Sequence, residues 1–124
     1  MNLKQLSNFA PFLFAFLALP WLAGCNPCKE EIVERTTSPD GKWTATTLTR
    51  DCGATTSEYM GVNLQDAKQK NLETKNEVFV TKHVHRLHVS WQENTSLQID
   101  CENCTADDVK KRLERLGPVQ IIYR

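Results

Sequence analysis

Residues Phe9 to Leu22 are fourteen consecutive apolar or proline residues, preceded by Met1-Asn2-Leu3-Lys4 and followed by Ala23-Gly24. A bilayer-spanning helix needs about 20 residues, and Pro11 and Pro20 disfavour a long unbroken one. A buried core helix fits poorly as well, because the apolar density stops at Leu22 and nothing downstream matches it. A short basic start, an apolar centre and small residues before a break describe a secretory signal. Residues 1–24 are therefore left out of the folding problem. Of the 124 residues, 100 remain, enough for one domain and too few for two good cores.

Leu22-Ala23-Gly24-Cys25 resembles the lipobox of bacterial lipoproteins at all four positions. The resemblance implies a diacylglycerol on the Cys25 thiol, cleavage just before Cys25 and acylation of the new amine. It divides the chain into a signal peptide (1–24), a lipidated tether (25–30) and a single domain (31–124). Each buried lipid CH₂ contributes ~0.8 kcal/mol, and more than one chain makes a stable membrane anchor. The implied location is the bacterial cell envelope. Asn26, where an aspartate would retain some lipoproteins at the inner membrane, points to the periplasmic face of the outer membrane in a Gram-negative host.

Lys4 is the only charge in the leader, so the remaining residues carry 14 Lys/Arg against 15 Asp/Glu. Such balance supplies no basic face, and a nucleic acid partner is not expected. With Cys25 assigned to lipid, Cys28, Cys52, Cys101 and Cys104 remain as disulfide candidates. An even number in a small exported domain favours disulfides, with three complete pairings open. A redox-active pair, metal ligation and free thiols are the alternatives.

Turn residues and alternation lay out the domain. Ser38-Pro39-Asp40-Gly41 is a turn by the chemistry of each residue, between candidate strands Glu31–Thr37 and Lys42–Arg50. Tyr59–Leu64 and Glu77–Lys82 read as further strands, and residues 65–76 as a solvated connection. His83–Trp91 alternates strongly and should pair with 97–101, placing Leu87, Val89, Trp91, Leu97 and Ile99 in the core. Thr105 with Asp108 forms a variant capping box, and Val109, Leu113 and Leu116 make a helical stripe ended by Gly117-Pro118. Val119–Tyr123 reads as a last strand. The expected fold is α+β: a small antiparallel sheet of five to seven strands with one C-terminal helix packed on it.

Three places carry candidate chemistry. Cys101-Glu102-Asn103-Cys104 precedes the expected helix, whose N–H groups would stabilise a thiolate. Cys101 would then attack a substrate disulfide and Cys104 would resolve the mixed species. The competing reading is a structural staple, local or shared with Cys28 and Cys52. His83 and His85 fall on one strand face, ~7 Å apart, and would hold Cu or Zn only with a further ligand; His88 has the opposite parity. Asp51-Cys52-Gly53-Ala54-Thr55-Thr56 offers hydroxyls and a cysteine beside a flexible glycine, with no base fixed near it.

Ser38-Pro39-Asp40-Gly41-Lys42-Trp43-Thr44-Ala45, then Asp51-Cys52-Gly53-Ala54-Thr55-Thr56, then Val89-Ser90-Trp91 and Leu97-Gln98-Ile99, resemble a group of small uncharacterised bacterial proteins, many exported or lipidated. That resemblance implies an envelope protein and carries no activity. The resulting expectation is a membrane-anchored envelope lipoprotein acting as a binding or structural module, with no cofactor, held by lipid on Cys25 beside another envelope protein or a small ligand. Thiol–disulfide exchange through Cys101 and Cys104 is the alternative, and periplasmic metal binding through His83 and His85 a further one.

Overall fold

Ser38-Pro39-Asp40-Gly41 closes the first hairpin, and its side chains show why. Asp40 Oδ1 accepts from Ser38 Oγ at 2.8 Å and from the Lys42 N–H at 3.1 Å, while Trp43 N–H donates to Ser38 Oγ at 3.0 Å. Gly41 takes the left-handed conformation the turn needs, at φ 75°. The Ser38 hydroxyl first, then the Lys42 N–H, hold the Asp40 carboxyl below its ordinary value of 3.8. A carboxyl lowered by folding contributes stability above its unfolded pKa and loses that contribution as pH falls through the folded one. Asp40→Asn is thus expected to lower Tm at neutral pH, with the gap from the parent closing below 3.8. Thermal melts against pH check this, and a gap independent of pH contradicts it.

The computed structural model describes residues 28–53 and 58–124. The leader, the lipobox with Cys25, and Ala54-Thr55-Thr56 lie outside the described residues. The hairpin joins β1 (Lys29–Thr37) to β2 (Trp43–Asp51), and β3 (Tyr59–Asp66), β4 (Glu77–Lys82) and β5 (Arg86–Glu93) follow. After them come β6 (Ser96–Glu102), β7 (Val109–Arg112), β8 (Arg115–Leu116) and β9 (Val119–Tyr123). One sheet has the order β1-β2-β3-β4-β7 and the other β5-β6-β9-β8. All pairs are antiparallel except β6 with β9. A single apolar cluster draws on both sheets: Val62, Leu64 and Phe79 from the first, Leu97, Ile99 and Ile121 from the second. The sheets therefore pack face to face.

One register irregularity serves that core, and another lies on the exposed edge. The β3–β4 register slips between Val62 and Asn63, leaving Val78 as the extra residue, so the consecutive Val78 and Phe79 are both buried. On edge strand β1 the slip falls at Val33, and Lys29, Glu30, Glu31, Glu34 and Arg35 line the exposed edge with charge, which opposes edge-to-edge pairing. The two sheets are also tied by Trp91 Nε1, which donates to Thr36 O at 3.1 Å.

Gly61 marks the tightest backbone approach. A Cβ there would stand 3.0 Å from the Phe79 carbonyl oxygen. Gly61→Ala is expected to push β3 away from β4 and cost about 1–3 kcal/mol. A urea midpoint equal to the parent's would contradict it.

The expected C-terminal helix is absent: among the described residues the fold is mostly β, and the segment assigned to the helix forms β7 and β8. The spacing of Val109 and Leu113 satisfies both periods, since four residues is about one helical turn and also two strand repeats. Lys111 decides it. It lies half-buried between half-buried Val109 and Leu113, while Lys110 and Arg112 are exposed, which is strand alternation. The capping residues do bond to one another: Thr105 N–H donates to Asp108 Oδ2 at 3.3 Å, and Asp108 N–H to Thr105 O at 3.0 Å. They close a turn. The connection after β3 is largely exposed, as expected, with a short 3₁₀ turn at Thr74–Asn76, and two bonds fasten it to the sheet: Asn63 Nδ2 donates to Glu73 O at 2.9 Å and Gln65 Nε2 to Gln69 O at 3.0 Å.

Candidate functional site

The chain passes between the sheets three times, and two of the crossings form adjoining corners. His83–His85 carries it from β4 to β5, and Asn103–Asp108 carries it from β6 back to β7. Each corner turns on a left-handed residue that is not glycine, His83 at φ 65° and Asn103 at φ 63°. Lys82 N–H donates to Asp108 O at 2.8 Å and fastens one corner to the other.

His83 ends the strand, so His83 and His85 do not share a strand face as their parity predicts. His83 is exposed, and exposed His88 on β5 places Nε2 3.3 Å from Glu102 Oε2. His85 alone turns inward, with its side chain 13% exposed. Its Nε2 is 3.1 Å from Lys82 O. A carbonyl oxygen only accepts, so in this bond Nε2 carries the proton and the neutral ring keeps its lone pair on Nδ1. Asp108 Oδ2 lies 3.5 Å from the same Nε2. The Thr105 N–H holds the Asp108 carboxyl below the usual carboxylate range, so it stands by the imidazole as an anion.

Both sulfurs of the Cys-x-x-Cys segment meet this histidine. Cys101 and Cys104 form a disulfide with Cα atoms 5.6 Å apart. A ring nitrogen of His85, Cys101 Sγ and Cys104 Sγ all lie within 4.8 Å of one another. Thr81 Oγ1, on fully buried Thr81, is 4.0 Å from Cys104 Sγ. That hydroxyl donates toward Lys82 O and Asp108 O at 3.2 and 3.3 Å. With its one proton given to a carbonyl, it offers a lone pair to Cys104, so a reduced Cys104 thiol can donate to it.

The disulfide forms one wall of a pocket of about 440 Å³. Phe79, Ile99, Val109 and Tyr123 supply its apolar lining, and Arg112 and Arg124 its cations. Arg112 stacks over the Tyr123 ring at 4.2 Å. Burial pushes the Tyr123 hydroxyl up to about 12, and it remains a donor, to Leu113 O and to Val78 O at 3.3 Å.

The other bridge joins Cys28 to Cys52, beside the paired residues Lys29 and Asp51. In its loop Asp51 Oδ1 accepts the Gly53 N–H at 3.1 Å. No described histidine accompanies this bridge in a donor cluster. The expected helix N-terminus behind Cys104 does not exist, so an imidazole backed by a carboxylate stands where aligned N–H groups were anticipated. Thr81, Phe79, Tyr123 and Arg112 were not anticipated as site residues. Strand parity groups Tyr123 with buried Val119 and Ile121, whereas Phe79 is opposed in parity to Val78 and Val80, and only the sheet order brings the two rings to the cysteines. Comparison with protein-family models, curated proteins and solved structures finds no match for this chain.

Proposed function

We propose that this protein exchanges disulfides with a dithiol partner through Cys101 and Cys104, in a domain held at the envelope membrane by lipid on Cys25. One observation carries the reading: the convergence of a His85 ring nitrogen on both sulfurs, at the wall of a pocket. A partner thiolate attacks Cys101 Sγ, the Cys101–Cys104 bond breaks, and Cys104 leaves as a thiolate, which ends as a thiol hydrogen-bonded to Thr81 Oγ1 once His85 passes it the proton of the partner's second thiol. The His85 lone pair accepts the proton of the partner's second thiol. That thiolate attacks the partner's own sulfur in the mixed disulfide and releases Cys101. The partner loses two electrons and the bridge gains them.

The anchor favours a partner at the membrane. Cys25 is three residues from Cys28, a reach of about 11 Å at most. Cys28 precedes the start of β1, and the row Arg50, Tyr59, Lys82 crosses the same end of the sheet, where Lys82 bonds to Asp108. Lipid on Cys25 would thus present the His85 corner toward the bilayer side.

The test uses the full chain in detergent. Cys104→Ser is expected to trap a mixed disulfide on Cys101 with a small aromatic disulfide, and Cys101→Ser to abolish turnover of a dithiol. His85→Ala should slow the exchange about 100-fold. Turnover that survives Cys101→Ser, or is indifferent to His85→Ala, rejects the proposal. For the anchor, Cys25→Ala is expected to leave an uncut precursor, and normal release of soluble protein would defeat that part.

A further inference from the structure

We infer that reduction of the Cys101–Cys104 bridge turns the same corner into a three-coordinate site for cuprous copper, ligated by Cys101 Sγ, Cys104 Sγ and the lone-pair nitrogen of His85. Two thiolates and an imidazole are a soft donor set, which suits Cu(I). Metal–ligand bonds of about 2.0–2.3 Å put trigonal donors ~3.8 Å apart. A ring nitrogen of His85 and the two sulfurs already lie within 4.8 Å of one another, and the 5.6 Å Cα separation lets the freed sulfurs spread around one ion.

Zinc would want a fourth donor. Among the described residues no fourth joins this group. The carboxylate beside His85, Asp108, is committed elsewhere: it accepts the Thr105 N–H and stands 3.5 Å from His85 Nε2. Together with Lys82 O, it orients the imidazole through the nitrogen that does not bind metal, the usual arrangement around a ligating histidine. The oxidised bridge has no thiolates to offer, so occupancy is gated by redox state. Two thiols and one Cu(I) give the bound ion and two released protons. The dithiol that opens the bridge is the only reductant required, and the inference holds whether or not the bridge also exchanges with a physiological partner.

The full chain in detergent, reduced anaerobically with dithiothreitol and freed of it, is titrated with Cu(I) held by bicinchoninate. One equivalent per chain is expected to leave the coloured complex, and none for the oxidised chain. Cys101→Ser and His85→Ala should each weaken uptake at least 10-fold, and the double variant Cys28→Ser, Cys52→Ser should not. Copper-edge X-ray absorption of the unmutated chain, which depends on no variant's folding, should return two sulfurs and one nitrogen. Equal uptake by the oxidised chain, indifference to His85→Ala, or a shell without nitrogen overturns the inference; so does a four-coordinate shell.

Discussion

Phe79→Ala is expected to cost the domain about 3–5 kcal/mol, the upper range for a core truncation. Phe79 is 2% exposed and sits on β4, where it pairs with Val62 on one side and Arg112 on the other. Its ring lies 5.8 Å from that of Tyr123, so it joins the first sheet to β9 of the second. The ring also lines the pocket behind the disulfide, and its loss would enlarge that space without a side chain free to collapse into it. Phe79→Leu, which keeps most of the volume, should recover more than half of the loss. Chemical denaturation of the three proteins measures this, and a Phe79→Ala cost below 1 kcal/mol would mean the ring is not the joint between the sheets.

The second large effect concerns charge. Glu77 is 5% exposed, and its Oε1 accepts from Arg50 Nη2 at 2.6 Å; the same Nη2 reaches Glu30 Oε2 at 2.6 Å. The two glutamates raise the Arg50 pKa even though burial opposes it. Arg50→Met would leave the Glu77 carboxylate buried without its cation, a loss of about 3 kcal/mol or more. Removing both charges, as Arg50→Met with Glu77→Leu, is expected to restore most of that stability, because a buried pair gains little over apolar residues of similar volume. A double-mutant cycle decides the matter. Equal losses in the single and double variants would show that Arg50 contributes by packing rather than by neutralising Glu77.

Much of the strand layout is legible because alternation and turn chemistry act locally. The Asp40 side-chain bonds arise within a few residues, and the pairing of Val89 with Ile99 and Trp91 with Leu97 follows from parity across a short turn. Local reasoning misleads at 105–116 for an equally local reason. Three apolar residues fit a helix until Lys111 has to lie inside, and a capping pair makes the same bonds in a turn as at a helix start. The histidines fail differently. Their alternation continues through His83 in the sequence, but a positive φ there breaks the strand. The cysteine pair stands out unaided, whereas its meeting with His85 depends on two crossovers lying side by side, which no short-range pattern encodes.

That meeting is what the functional account depends on, and it makes an ordering that exposure alone would reverse. Cys28 and Cys52 are exposed, Cys101 and Cys104 half-buried. The exposed pair is held together by the Lys29–Asp51 pairing beside it, which favours reclosure, and among the described residues only the half-buried pair joins an imidazole in a donor cluster. The decisive measurement is peptide mapping of the folded chain after one equivalent of a dithiol, acid quench and alkylation. Label on Cys101 and Cys104, with Cys28–Cys52 intact and the near-ultraviolet circular dichroism preserved, is the expected result. Label first on Cys28 and Cys52, or on all four only as the fold is lost, would contradict the assignment of this corner as the working site.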